Sequence, residues 1–204
     1  VLEHAALENQ NSLAEKPWHE SSLVQNFPLP RSLEPLTPDD PDFAALNESA
    51  YEYALGDPGK GGILDFIVVR LKEDMAMRRV YGGAAEKDGF WWTLAHAAGM
   101  FWAAGEDDIT VCDLMTASGV CPDWNSATNL VTCKAKKGWS FVVGQGQSAK
   151  CEQGSTTCNL KNGSILYPPA ALLQVNGAVF NNSVSCRECK LHQHDIVDSA
   201  CYDW

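Results

Sequence analysis

Ile63-Leu64-Asp65-Phe66-Ile67-Val68-Val69 is the stretch on which the reading of the fold turns. It is dense in β-branched and aromatic residues and follows a glycine-rich segment, Gly56-Asp57-Pro58-Gly59-Lys60-Gly61-Gly62. That combination favours a strand over a helix. The signal then repeats toward the C-terminus. Met77-Arg78-Arg79-Val80-Tyr81 and Phe90-Trp91-Trp92-Thr93 read as short strands flanking Gly82-Gly83. Leu130–Lys134 and Trp139–Val143 follow, with Lys136-Lys137-Gly138 as a hairpin turn between them. Leu172–Val175 and Ala178–Phe180 pair in this reading around Asn176-Gly177, the strongest short hairpin signal. Toward the N-terminus the period becomes helical. Asp40-Pro41-Asp42 supplies a start, and Phe43, Leu46, Ala50 and Tyr53 recur at helical spacing. Leu94–Ala104 is compatible with a further short helix. The expected class is α+β: a single antiparallel, β-rich domain with few helices, disulfide-stabilised in its C-terminal half.

Length and composition agree. A chain of 204 residues with 45% hydrophobic and 20% charged residues suits one globular domain. Residues 1–41 read as a proline-rich arm packed on a domain spanning 42–204. Six of the ten prolines fall in the arm, so Glu34-Pro35-Leu36-Thr37-Pro38 is excluded as a central strand. No apolar run is long enough to span a membrane as a helix. Fifteen basic against twenty-six acidic residues give a net charge of −11 without a basic run, which argues against a nucleic-acid partner.

All eight cysteines lie in the C-terminal part: Cys112, Cys121, Cys133, Cys151, Cys158, Cys186, Cys189 and Cys201. An even, clustered set in a small chain reads as a disulfide framework in an oxidising compartment. Three glycosylation sequons, at Asn47, Asn162 and Asn181, fit the same compartment, as does a start at Val1 without methionine. The expected localisation is secreted. Cys186-Arg187-Glu188-Cys189 with His192, His194 and Cys201 also has the residue types of a zinc or redox site. The other cysteines weigh toward structural disulfides, and no metal is expected.

Two constellations carry chemistry. In Arg79-Val80-Tyr81-Gly82-Gly83, followed by Gly89-Phe90-Trp91-Trp92-Thr93, an arginine offers a bidentate anion clamp. The glycines allow close backbone approach, and the aromatics offer faces for a flat ring. The plain alternative is a surface arginine, a turn and a core tryptophan pair. The second is Gly144-Gln145-Gly146-Gln147 with Gln174 downstream. It lacks the third glycine of a dinucleotide fingerprint, but its glutamines suit a bound water or ribose hydroxyl. No nucleophile elbow is present.

In these residues the chain resembles the tuberculosis necrotising toxin type of NAD glycohydrolase domain, over about residues 76–180. The resemblance implies that Arg79 holds the pyrophosphate and that Tyr81, Gly82, Gly83, Phe90, Trp91, Thr93 and Gln147 contribute to the substrate site. It implies a functional glutamine. Gln145, Gln147 and Gln174 are all candidates, and Gln174 is favoured as preceding a strand end. It further implies an NAD-consuming secreted enzyme with no cofactor beyond NAD as substrate. Thr93 is followed by Leu94, where the family usually has proline. The alternatives are a non-enzymatic secreted cysteine-rich effector or binding protein, and an ADP-ribosyltransferase toxin with a protein target.

Overall fold

The computed structural model describes residues 29–94, 110–156, 158–168 and 173–191. The expected helix at Leu94–Ala104 lies almost wholly outside these residues, as do His192, His194 and Cys201. The strands are β1 (Leu33–Pro35), β2 (Ile63–Leu71), β3 (Met75–Tyr81), β4 (Trp91–Leu94), β5 (Asn129–Ala135), β6 (Ser140–Gly146), β7 (Ala149–Lys150), β8 (Ile165–Leu166), β9 (Leu173–Asn176) and β10 (Ser183–Lys190). Eight form one sheet in the order β1-β2-β6-β9-β4-β3-β5-β10, and β7 pairs with β8. Every neighbouring pair is antiparallel. The class is therefore the expected one, antiparallel and β-rich with few and short helices.

Side chains directly opposite each other across an antiparallel sheet share a face, so the register sorts this sheet into rows. One row runs Ile67, Val143, Val175, Trp92, and its neighbour on the same face contains Met77, Leu94 and Cys133. All seven belong to the main core cluster, and none is more than 2% exposed. Burying each large side chain here stabilises the fold by roughly 1.5–3 kcal/mol. The opposite face carries two smaller apolar clusters, one around Val80 and Leu130, the other around Val68 and Val142.

Two elements cover those smaller clusters. Helix α1 (Phe43–Ser49) continues into a π-turn at Ala50–Ala54, as the helical spacing indicated. Ala50 and Ala54 are buried beside Val68 and Val142, but the wider turn carries Tyr53 out to 67% exposure. Helix α2 (Val111–Ser118) packs Val111, Leu114 and Met115 against Val80 and Leu130. Thr110 and Asp113 form a capping box at its start, and Gly119, at φ 61°, closes its end in the left-handed conformation. From the arm, Leu33–Pro35 joins as an edge strand, where proline is tolerated, and Leu33 and Leu36 are buried.

Two expected hairpins are not formed. Lys136–Gly138 is a turn, with the Trp139 amide donating to the Lys136 carbonyl at 3.2 Å, but β5 and β6 do not pair. β5 lies between β3 and β10, and β6 between β2 and β9. The turn is tied instead to the end of β2, by the Gly138 amide and the Leu71 carbonyl at 2.8 Å. Likewise Asn176-Gly177 returns no strand. Both sides of β9 are occupied by β4 and β6, and the chain runs on into a 3-10 turn at Phe180–Asn182. The Gly177 amide donates to Phe90, and a side chain at Gly177 would meet the Trp139 ring at 2.9 Å. Turn chemistry sets the local chain direction. The buried rows choose the partners.

Disulfides join Cys112 to Cys158, Cys121 to Cys151 and Cys133 to Cys186. The last links directly opposite residues of β5 and β10. Cys189 is disulfide-bonded as well. Each cross-link stabilises by roughly 2–4 kcal/mol. They are compatible with an extracellular protein. Among the described residues no helix is long and apolar enough to cross a membrane.

Candidate functional site

Between the two smaller clusters the sheet face turns polar. The row there runs Phe66, Gly144, Gln174, Thr93, Arg78, Thr132 across β2, β6, β9, β4, β3 and β5. Gln174, Thr93 and Arg78 are thus neighbours on adjacent strands, although 96 positions separate the first from the last. They form the floor of a cavity of about 270 Å³. Trp91, one row over, and Trp124 contribute walls. Ser118 and Gly119, at the C-terminal end of α2, close one side, and Lys60, Gly61 and Gly62 another.

Each floor residue is held. The Thr93 hydroxyl donates to the Arg78 carbonyl at 3.2 Å. The Gln174 amide nitrogen donates to the Ser118 carbonyl at 2.9 Å, which ties β9 to the end of α2. Gln174 is 7% exposed, and its amide oxygen accepts no hydrogen bond from the described residues. That side chain crosses Gly146, where a Cβ would lie 2.7 Å from the glutamine nitrogen. The Gly144-Gln145-Gly146 pattern therefore serves close packing, with Gly146 making room for Gln174.

The adjacent arginines separate. Arg78 is buried on the cavity face. Arg79 also borders the cavity, but strand alternation puts it opposite Val131, on the side of the main core. Its Nε donates to the Glu86 carbonyl at 3.0 Å and its Nη1 to the Trp91 carbonyl at 2.8 Å. Gly89 lies against the guanidinium. Arg79 thereby clamps the loop that delivers Trp91. Burial lowers its pKa, and nearby Asp88 opposes the shift. It stays charged throughout the physiological range.

The other expected site residues divide. Trp91, Thr93 and Gln174 come together. Tyr81 instead donates to Glu188 at 3.0 Å, with Lys87 on the other carboxylate oxygen at 2.9 Å. Burial and that hydrogen bond raise the tyrosine pKa, and the Lys87 hydrogen bond leads in lowering that of Glu188. Gly82 and Gly83 pack on Ser126 and Thr128, so the close approach there is by the protein's own chain. Phe90 is 60% exposed and outside the cavity lining. Gln147 staples a loop, its amide nitrogen to the Gly56 carbonyl and its oxygen to Ser148. Gln145 faces Leu173 and Asp65 in the ladders. Of the sequons, Asn162 and Asn181 are exposed and Asn47 half-buried in α1. Cys121, Asp123 and Cys151 have the spacing of a metal cluster, but the two sulfurs are joined, as are those of Cys133 and Cys186. No thiolate is offered there.

Ser118, Gly119, Trp124 and Asn125 were not singled out from sequence, and the Lys60 loop, whose glycines and lysine lack the Walker pattern of a phosphate loop, reads from sequence as a turn. Asn125 holds the cavity wall in place, donating to the Val80 carbonyl at 2.9 Å and accepting from the Ala127 amide at 2.8 Å. The available signal was the Cys121–Cys151 cross-link, whose loop carries Trp124 and Asn125. Pairing is what sequence does not give.

Compared with known protein families, curated proteins and solved structures, the chain matches none.

Proposed function

We propose that this chain is a secreted enzyme that hydrolyses the nicotinamide–ribose bond of NAD. One observation carries the reading. The charged residues lining the cavity are Lys60, Arg78 and Arg79, all cationic, and among the described residues no carboxylate joins them. The net charge of the chain is −11, so this is a local reversal that favours an anionic ligand. The described lining is also compatible with this reaction. Cleaving an ordinary glycoside calls for a carboxylic acid to protonate the leaving oxygen and a carboxylate beside the sugar. Nicotinamide needs neither. Its ring nitrogen is already cationic in NAD, and when the bond to C1′ breaks, the electron pair neutralises the ring. Water then forms the new bond at C1′ and releases its proton to solvent, giving ADP-ribose.

The work left to the protein is positioning and charge complementarity. Trp91 and Trp124 supply flat faces for the pyridine ring. The oxygen of Gln174, which accepts no hydrogen bond from the described residues, is an acceptor for the attacking water or for a ribose hydroxyl. The carbonyl end of α2, reached through Ser118, places partial negative charge near the positive charge that develops on the ribose. Incubating the oxidised protein with NAD tests the reading by following nicotinamide and ADP-ribose with time. Equal, continuous release of both is expected. No release from a folded sample refutes it, and nicotinamide release only with an added acceptor protein replaces hydrolysis by ADP-ribosyl transfer.

A further inference from the structure

We infer that Lys60, on the glycine loop at the cavity edge, forms a pyrophosphate subsite that makes the site select dinucleotides over phosphate-free nucleosides. The inference rests on the proposed NAD reading and extends it to the part of the ligand that the cavity does not enclose. At about 270 Å³ the cavity is at the small end of ligand sites, which run ~300–1,000 Å³. It suits the nicotinamide–ribose half, so the phosphates lie where the cavity opens. Lys60 is the exposed cation of the lining. Among the described residues no ion pair or hydrogen bond engages its ammonium. Its neighbours in charge, Arg78 and Arg79, are buried or half-buried deeper in the wall.

The loop that carries Lys60 is fixed on both flanks. The Gly59 amide donates to the Ser148 hydroxyl at 3.1 Å and the Gly61 amide to the Ser148 carbonyl at 3.0 Å. Gln147 donates from its backbone to the Gly62 carbonyl at 2.8 Å and from its side chain to Gly56 at 3.1 Å. Gly61, at φ 76°, lies on the Trp124 ring, which a Cβ would approach to 3.2 Å. The stem of Lys60 is therefore anchored next to an aromatic wall. With the backbone held on both flanks, the ordering cost of binding an anion falls mainly on the lysine side chain. It also gives Gln147 a purpose: it braces the loop that presents the lysine.

Calorimetric titration of ADP-ribose at low salt, into the wild type and into Lys60→Gln, Lys60→Glu and Lys60→Arg, tests this, with nicotinamide riboside as the phosphate-free control. The ADP-ribose affinity falls about tenfold in Lys60→Gln, further in Lys60→Glu, and stays near wild type in Lys60→Arg. The riboside affinity is the same in all four proteins. Unchanged ADP-ribose affinity in Lys60→Glu overturns the inference, as does an equal loss for both ligands or a wild type that binds no ADP-ribose. A wild type that binds ADP-ribose through Lys60 but releases no nicotinamide from NAD keeps the subsite and refutes the hydrolysis.

Discussion

The two faces of the same eight-stranded sheet have different contents. On one, Ile67, Val143, Val175 and Trp92 form an unbroken buried row. On the other, Gly144, Gln174 and Thr93, each adjacent in sequence to a member of that row, and Arg78 on the neighbouring β3 interrupt the apolar surface and floor a cavity. Because side chains alternate along a strand, each of these short strands supplies both stability and site. A single-residue slip of register would place Arg78 and Gln174 in the core, so the apolar row fixes the polar one.

The sharpest way to break this comparison uses adjacent tryptophans. Trp92→Ala, on the apolar face at 2% exposure, is expected to cost about 3–5 kcal/mol. Trp91→Ala, half-buried on the cavity face, is expected to cost less than about 2 kcal/mol. Denaturant unfolding midpoints measure both. Equal losses would mean that the cavity face is ordinary core.

The neighbouring arginines sharpen it at smaller scale. Arg79→Lys keeps the charge but not the fork that reaches both Glu86 and Trp91. A stability loss of about 1–2 kcal/mol is expected, with a several-fold loss of NAD turnover from a displaced Trp91. An unchanged thermal midpoint with abolished turnover would instead make Arg79 a ligand-contacting group, the role the family resemblance implies.

The class of the fold was legible because its strands announce themselves one by one. Ile63–Val69, Met77–Tyr81 and Leu130–Lys134 all lie inside strands. Their partners were not legible. β2 and β3 are joined by only three residues, 72–74, yet three strands lie between them in the sheet. Local turn residues such as Asn176-Gly177 compete with long-range burial and lose. The site was partly legible. Trp91, Thr93 and Gln174 stand out by type and spacing and do converge. Gln147, Gly82 and Gly83 are equally conspicuous, but they serve a loop and two close packings. Lys60 and Trp124 sit in segments without periodicity, and a disulfide and two pinned loops bring them to the cavity.

The most direct test of the central claim compares wild type with Gln174→Ala, measuring NAD turnover and thermal midpoint on the same oxidised samples. Gln174 is the one floor residue with an amide oxygen that no described group uses. The account predicts a fall in turnover of about 100-fold or more, the scale of losing one positioning hydrogen bond in an active site. The midpoint should drop by only a few degrees, reflecting the single bond to Ser118. Turnover equal to wild type in a folded Gln174→Ala protein would contradict the claim that this polar row is where the chemistry occurs.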